Sequence, residues 1–148
     1  MKIKIKSKIN PPYSIKNIKI GDKKNFEFKI TKKIHNSFKN FSGDKSPLHT
    51  SVKFCKKNGY KNLLGYAFLI EVLLSKIFGM HFPGGSELCL HQTSKFIKPF
   101  YLNDKFDIKI KVTQKNFKAK LITLDIKIYV KKKIIYSGET ILNLTLEK

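Results

Sequence analysis

A chain of 148 residues with 41% hydrophobic and 12% aromatic content can bury one proper core and is too apolar for disorder. Its net charge of +21 points first to an acidic partner: nucleic acid, an anionic membrane or a phosphate-bearing ligand. Every basic residue other than histidine is lysine, and without arginine's planar fork for phosphate and guanine the composition argues against a dedicated nucleic-acid reader.

In chain order, the N-terminal MKIKIKSKI alternates lysine with isoleucine and lacks the unbroken apolar stretch of a secretory signal. It reads as an edge strand or an exposed lead-in. In NIKIGDKKNFEFKI a Gly-Asp turn precedes a strand that alternates through Phe26, Phe28 and Ile30. TKKIHNSFKN, residues 31–40, carries Ile34 and Phe38 at helical spacing. The tight loop FSGDKSPLHTS follows, after which Thr50 or Ser51 caps a short helix, VKFCKKNG, that ends at Gly59.

From Ala67 to Phe78 the chain is apolar on nearly every side, the pattern of a helix wrapped by the rest of its protein. The run containing it is broken by Glu71 and Lys76 and is too short for a membrane span; a soluble cytoplasmic protein is expected. Four strand-length segments then follow, SELCLHQTSKFIKP, KFDIKIKVT, KLITLDIKIYV and IIYSGETILNLTL, separated by the turn-like LND, QKNFK and KKK. One buried helix and a run of antiparallel strands imply an α+β domain with the sheet curled around the helix. Cys55 and Cys89 lack metal-ligand spacing and read as small core hydrophobes.

The loop Ser42-Gly43-Asp44-Lys45-Ser46-Pro47-Leu48-His49, with Cys55 six positions later, resembles the S-G-D-x-N-P-[LIV]-H loop of the MaoC-like dehydratases, or (R)-specific enoyl-CoA hydratases. Ser46 replaces the family's asparagine. Gly59-Tyr60, Pro83-Gly84, Phe96-Ile97-Lys98-Pro99 and Asn103-Asp104 occupy the places of further family landmarks. One departure touches chemistry: the family's H-G-M before the central helix stands here as Tyr66-Ala67-Phe68.

The resemblance runs from Gly21 to the C-terminus, setting residues 1–20 apart as an N-terminal extension or edge strand and 21–148 as a single domain. It implies a hot-dog fold, a homodimer and the hydration of trans-2-enoyl thioesters or its reversal. It implies no metal and no redox cofactor, the substrate being a thioester of coenzyme A or acyl carrier protein. Both carriers are acidic and suit a basic chain. Asp44 and His49 would hold one water, as acid and base in either assignment. The backbone N–H of Ala67 would hold the thioester oxygen, a role that survives Gly→Ala unless the position needs a positive φ. Ser42, Gly43, Ser46, Tyr66, Phe68, Glu71 and Ser75 are the expected pocket residues.

Each residue also has an ordinary structural reading. Asp44 can close an Asx turn, and His49 alone can be a hydrogen-bonded loop residue. His35 and His81 read as surface or packing residues, and His91 as a strand residue with a weaker claim to substrate contact. Ala67, Glu71 and Ser75 are spaced by four and would share one helix face. Glu71 there is either paired with a lysine or part of the pocket, and in the second case supplies the carboxylate of a hot-dog thioesterase. A non-catalytic acyl-thioester binder is the remaining alternative.

Overall fold

The computed structural model describes residues 13–85 and 87–144, together with the backbone of Ile3–Lys4. The remainder of KIKIKSKI, Ser86 at the head of the first late strand segment, and Thr145–Lys148 at the end of the last lie outside the described residues.

The elements are β1 (Ile3–Lys4), β2 (Lys23–Lys29), α1 (Lys32–Ser42), α2 (Pro47–Thr50), α3 (Val52–Lys57), α4 (Leu69–Met80), β3 (Leu88–Phe96), β4 (Lys105–Asn116), β5 (Leu121–Val130) and β6 (Lys133–Asn143). The sheet runs β1-β2-β4-β5-β6-β3. Its five longer strands pair antiparallel, and β1 adds to β2 in parallel. The expected α+β hot-dog arrangement is present.

Period-two patterning explains how the sheet meets the helix. On β4, Phe106, Ile108, Ile110 and Val112 are buried, and on β5 Ile122, Leu124, Ile126 and Ile128 are; the lysines between them face outward. These side chains form one cluster with Leu69, Ile70, Leu73, Leu74, Ile77 and Phe78 of α4. At ~1.5–3 kcal/mol per fully buried large apolar side chain, this face of α4 contributes on the order of 10 kcal/mol before entropy is charged against it. Ile15 and Ile18, within the segment read as an extension, belong to the same cluster.

Local signals set most boundaries. Thr31 accepts a hydrogen bond from the Ile34 N–H at the start of α1, and Gly43 ends that helix at φ 72°, a left-handed cap that suits glycine. Of the two candidate caps for α3, Ser51 is the one used, accepting from the Phe54 N–H. The β5–β6 hairpin turns through Lys131 and Lys132 at φ 48° and 65°, a conformation usually given to Asn-Gly.

Three expectations change. The central helix starts at Leu69 rather than Ala67 and runs to Met80. It is not covered on every side, since Phe68 is 66% and Val72 55% exposed in the protomer. Cys55 is buried as expected but Cys89 is exposed, because β3 is an edge strand with nearly every side chain open to solvent.

Candidate active site

The loop after α1 is built from short-range hydrogen bonds. The Gly43 N–H closes α1 on the Lys39 carbonyl, and the Asp44 N–H reaches Ser42 Oγ at 3.2 Å. Asp44 Oδ1 accepts from the Ser46 N–H at 2.9 Å. Asp44 therefore does close an Asx turn, and that turn leaves its second carboxylate oxygen available. Pro47 starts the single turn of α2, on which His49 sits. Beneath the loop, buried Cys55 donates its thiol to the Leu48 carbonyl at 3.1 Å.

His49 is fixed through its other edge. Its Nδ1 is 2.9 Å from the Leu64 carbonyl, an acceptor only, so Nδ1 carries the hydrogen and Nε2 is the nitrogen left for chemistry. The Leu64 N–H returns to the Leu48 carbonyl at 3.0 Å, locking the 64–66 segment to the loop.

Tyr66 joins the two halves. Its hydroxyl donates to the Asp44 carbonyl at 2.7 Å, while its ring centroid lies 4.0 Å from that of His49. Phe38 and His35 pack on the same ring at 4.9 and 4.5 Å. Burial, reinforced by the nearby Asp44 carboxylate, pushes the Tyr66 phenol above its ordinary range, keeping it protonated as a donor.

Asp44, His49, Ser42, Tyr66, Ala67 and Phe68 line one cavity of about 490 Å³. Its walls are otherwise mostly apolar, from Phe38, Leu64, Ile70, Phe96, Pro99 and Phe100, with Lys98 adding a cation. Ala67 lies in the turn before α4, and its φ is not positive, so alanine is accommodated without backbone strain. Among the described residues nothing accepts from its N–H. Gly43 and Ser46 do not line this cavity; they shape the turn that presents Asp44.

Glu71 and Ser75 are elsewhere. They line a separate cavity of about 140 Å³ with Glu87, Cys89 and Gln92. The shared face expected for Ala67, Glu71 and Ser75 fails because Ala67 precedes the helix, and fourfold spacing aligns residues only within one. The described partners of Glu71 are hydroxyls rather than a lysine: Ser94 at 2.7 Å and Tyr136 at 3.0 Å. Burial holds the Tyr136 phenol well above its ordinary range. Gln92 donates to Tyr136 and accepts from Thr140, joining β3 to β6, while the Glu71 bonds tie α4 to these strands.

Two residues of the site carry no motif signal. Gly65 packs so closely on Phe100 that a Cβ would fall inside the ring; only the fold brings the two together. His35, read as a surface or packing residue, is buried and donates from Nε2 to the His49 carbonyl at 3.0 Å. His81 is buried as well, and His91 is an exposed residue of β3.

No family model matches the chain. Among curated proteins, the (R)-specific enoyl-CoA hydratase of Aeromonas caviae is 24% identical over 109 residues, 73% of this chain and 81% of that protein. The 3-hydroxybutyryl-CoA dehydratase of Methylorubrum extorquens is 25% identical over 77 residues, 52% of this chain. That match spans 49% of the latter protein's length, about half. An R-hydratase from Pseudomonas aeruginosa in its unliganded form superposes with a TM-score of 0.85 at 20% identity, covering 92% of this chain and 88% of its own.

The chain has a hot-dog fold. A solved structure described as a MaoC-like dehydratase superposes at a TM-score of 0.79 and 13% identity, over 90% of this chain and 43% of its own. At such identities the superpositions speak for the fold, and the resemblance read from the loop motif agrees with the curated relatives. Among the described residues, no cluster of His, Cys, Asp and Glu has metal-site geometry. No described helix is long and apolar enough to cross a membrane.

Proposed function

We propose that this protein adds water across the trans-2 double bond of enoyl thioesters to give (R)-3-hydroxyacyl thioesters, or removes it in reverse. The observation that carries the reading is the convergence of Asp44, His49 and the Ala67 turn on one largely apolar cavity. Hydration requires a water attacking Cβ, a proton delivered to Cα, and stabilisation of charge on the thioester oxygen. The open Asp44 oxygen and His49 Nε2 hold the water; between them they remove one proton from it and return one to Cα. The Ala67 N–H receives the oxygen as negative charge develops. Apolar walls strengthen these interactions by excluding solvent and accept the acyl chain.

The reading needs no cofactor beyond the pantetheine thioester, on coenzyme A or an acidic carrier protein, in the cytoplasm. A second copy of the chain is the proposed cover for Phe68, Val72 and Leu90, all more than half exposed, giving a homodimer. The thioesterase alternative rests on Glu71, whose carboxylate is engaged by two hydroxyls in the other cavity.

The test is loss of enoyl absorbance with crotonyl-CoA, run beside a thiol reagent that detects released coenzyme A. Wild type should hydrate without releasing thiol, and Asp44→Asn should lose about 100-fold or more in kcat, the scale of general acid–base catalysis. Thiol release that survives Asp44→Asn would instead favour Glu71 and hydrolysis.

A further inference from the structure

We propose that His35, on α1, is a positioning residue for this site: its Nε2–H anchors the main-chain carbonyl of His49 and thereby sets the aim of the His49 imidazole. The inference rests on reading Asp44 and His49 as the proton-handling pair.

The need for an anchor follows from the length of α2. It is a single turn, Pro47–Thr50, so its carbonyls lack the following turn of N–H donors that would satisfy them in a longer helix. The His49 N–H is tied back to Ser46 at 2.9 Å. The His49 carbonyl receives its hydrogen bond from outside α2, from His35 Nε2 at 3.0 Å. With Nδ1 held by Leu64, His49 is fixed at its backbone from α1 and at its ring from the 64–66 segment. Neither hold uses Nε2.

The surroundings of His35 are those of a fixed donor. It is 2% exposed, its ring packs on Tyr66 at 4.5 Å, and the His49 ring is 6.3 Å away. Its Nδ1 is buried with no hydrogen-bonding partner among the described residues. Burial, with His49 and Lys39 adding repulsion, depresses its pKa despite the bond to the His49 carbonyl, so the ring is neutral with its hydrogen on Nε2. A neutral ring donates without setting a cation beside His49. The sequence around His35 offers only an amphipathic helix; the pairing with position 49 is produced by the fold.

His35→Phe keeps a flat ring and removes the donor, whereas His35→Gln can present an amide N–H near the original Nε2. With crotonyl-CoA, His35→Phe should lower kcat about 10-fold with KM within about twofold, because displacement of a reacting group acts on the chemical step. His35→Gln should recover most of that loss. Unchanged kcat in His35→Phe, equal losses in both variants, or a loss confined to KM would overturn the proposal.

Nitrogen-15 correlation spectra of the His49 imidazole give a readout independent of turnover. Wild type and His35→Gln should show a dominant Nδ1–H tautomer, and His35→Phe a mixture. A tautomer population identical in all three would overturn the anchor whether or not crotonyl-CoA is hydrated. Wild type that shows the tautomer pattern but no hydration would instead count against the proposed activity and leave the anchor standing. Should His35→Phe fail to fold, His35→Asn, whose amide is too short to reach, takes its place against His35→Gln.

Discussion

Replacing Gly65 by alanine tests the packing beneath the candidate site. The added Cβ would fall within the Phe100 ring. That ring is 3% exposed and meets Phe106 edge-on with centroids 4.9 Å apart at 90°, so it has little room to retreat. The alternative is for the 64–66 segment to withdraw, which strains the Gly65 N–H bond to the Phe100 carbonyl, 2.8 Å long. Overpacking of this kind costs ~1–3 kcal/mol, and a weakened hydrogen bond adds ~1 kcal/mol, for a total of ~2–4 kcal/mol. Urea denaturation measures it: with a slope of ~2 kcal/mol per molar, the midpoint should fall by roughly 1–2 M. Phe100→Leu combined with Gly65→Ala should recover part of the loss by opening space, a coupling visible in a double-mutant cycle. A single variant within ~0.5 kcal/mol of wild type, the scatter of neutral surface changes, would refute the reasoning.

Tyr66→Phe removes the hydroxyl that holds the Asp44 carbonyl at 2.7 Å but keeps the ring on His49. Denaturation should show a loss of ~0.5–1.5 kcal/mol, and the crotonyl-CoA assay a fall in kcat of about 10-fold. Glu71→Gln should leave hydration within about twofold while lowering stability by ~1–2 kcal/mol, since a charged acceptor of two hydroxyl bonds becomes neutral; loss of hydration would place Glu71 in the chemistry. The depressed pKa of His35 fixes a sign for acid. Above the unfolded histidine value of ~6.5 it adds no pH dependence, whereas below it the unfolded chain takes up a proton that the native protein refuses. Stability then falls by up to ~1.4 kcal/mol per pH unit until the folded pKa is reached. Thermal melts from about pH 7 to about pH 5 should be less acid-sensitive in His35→Gln than in wild type.

The sequence by itself determined whatever depends on near neighbours in the chain. Alternation along KFDIKIKV and LITLDIKI put isoleucines on one face of each strand and lysines on the other, because side chains in a strand change face at every residue. The SGDKSPLH loop is likewise self-contained: Gly43 caps α1, Asp44 bonds the Ser46 N–H, and Pro47 starts α2. Its order therefore carried the resemblance to the MaoC-like proteins.

Only the tertiary structure decided what crosses between elements. The fourfold spacing of Ala67, Glu71 and Ser75 promised one face, but the helix begins two residues later and sends the carboxylate to the hydroxyls of Ser94 and Tyr136. His35 becomes a donor to His49 because α1 packs beside α2, and Gly65 must be small because the Phe100 ring occupies its Cβ position. Hydrogen bonds and close packing act over a few ångströms in space whatever the separation along the chain. Residues joined only by folding leave no periodicity for a sequence to display.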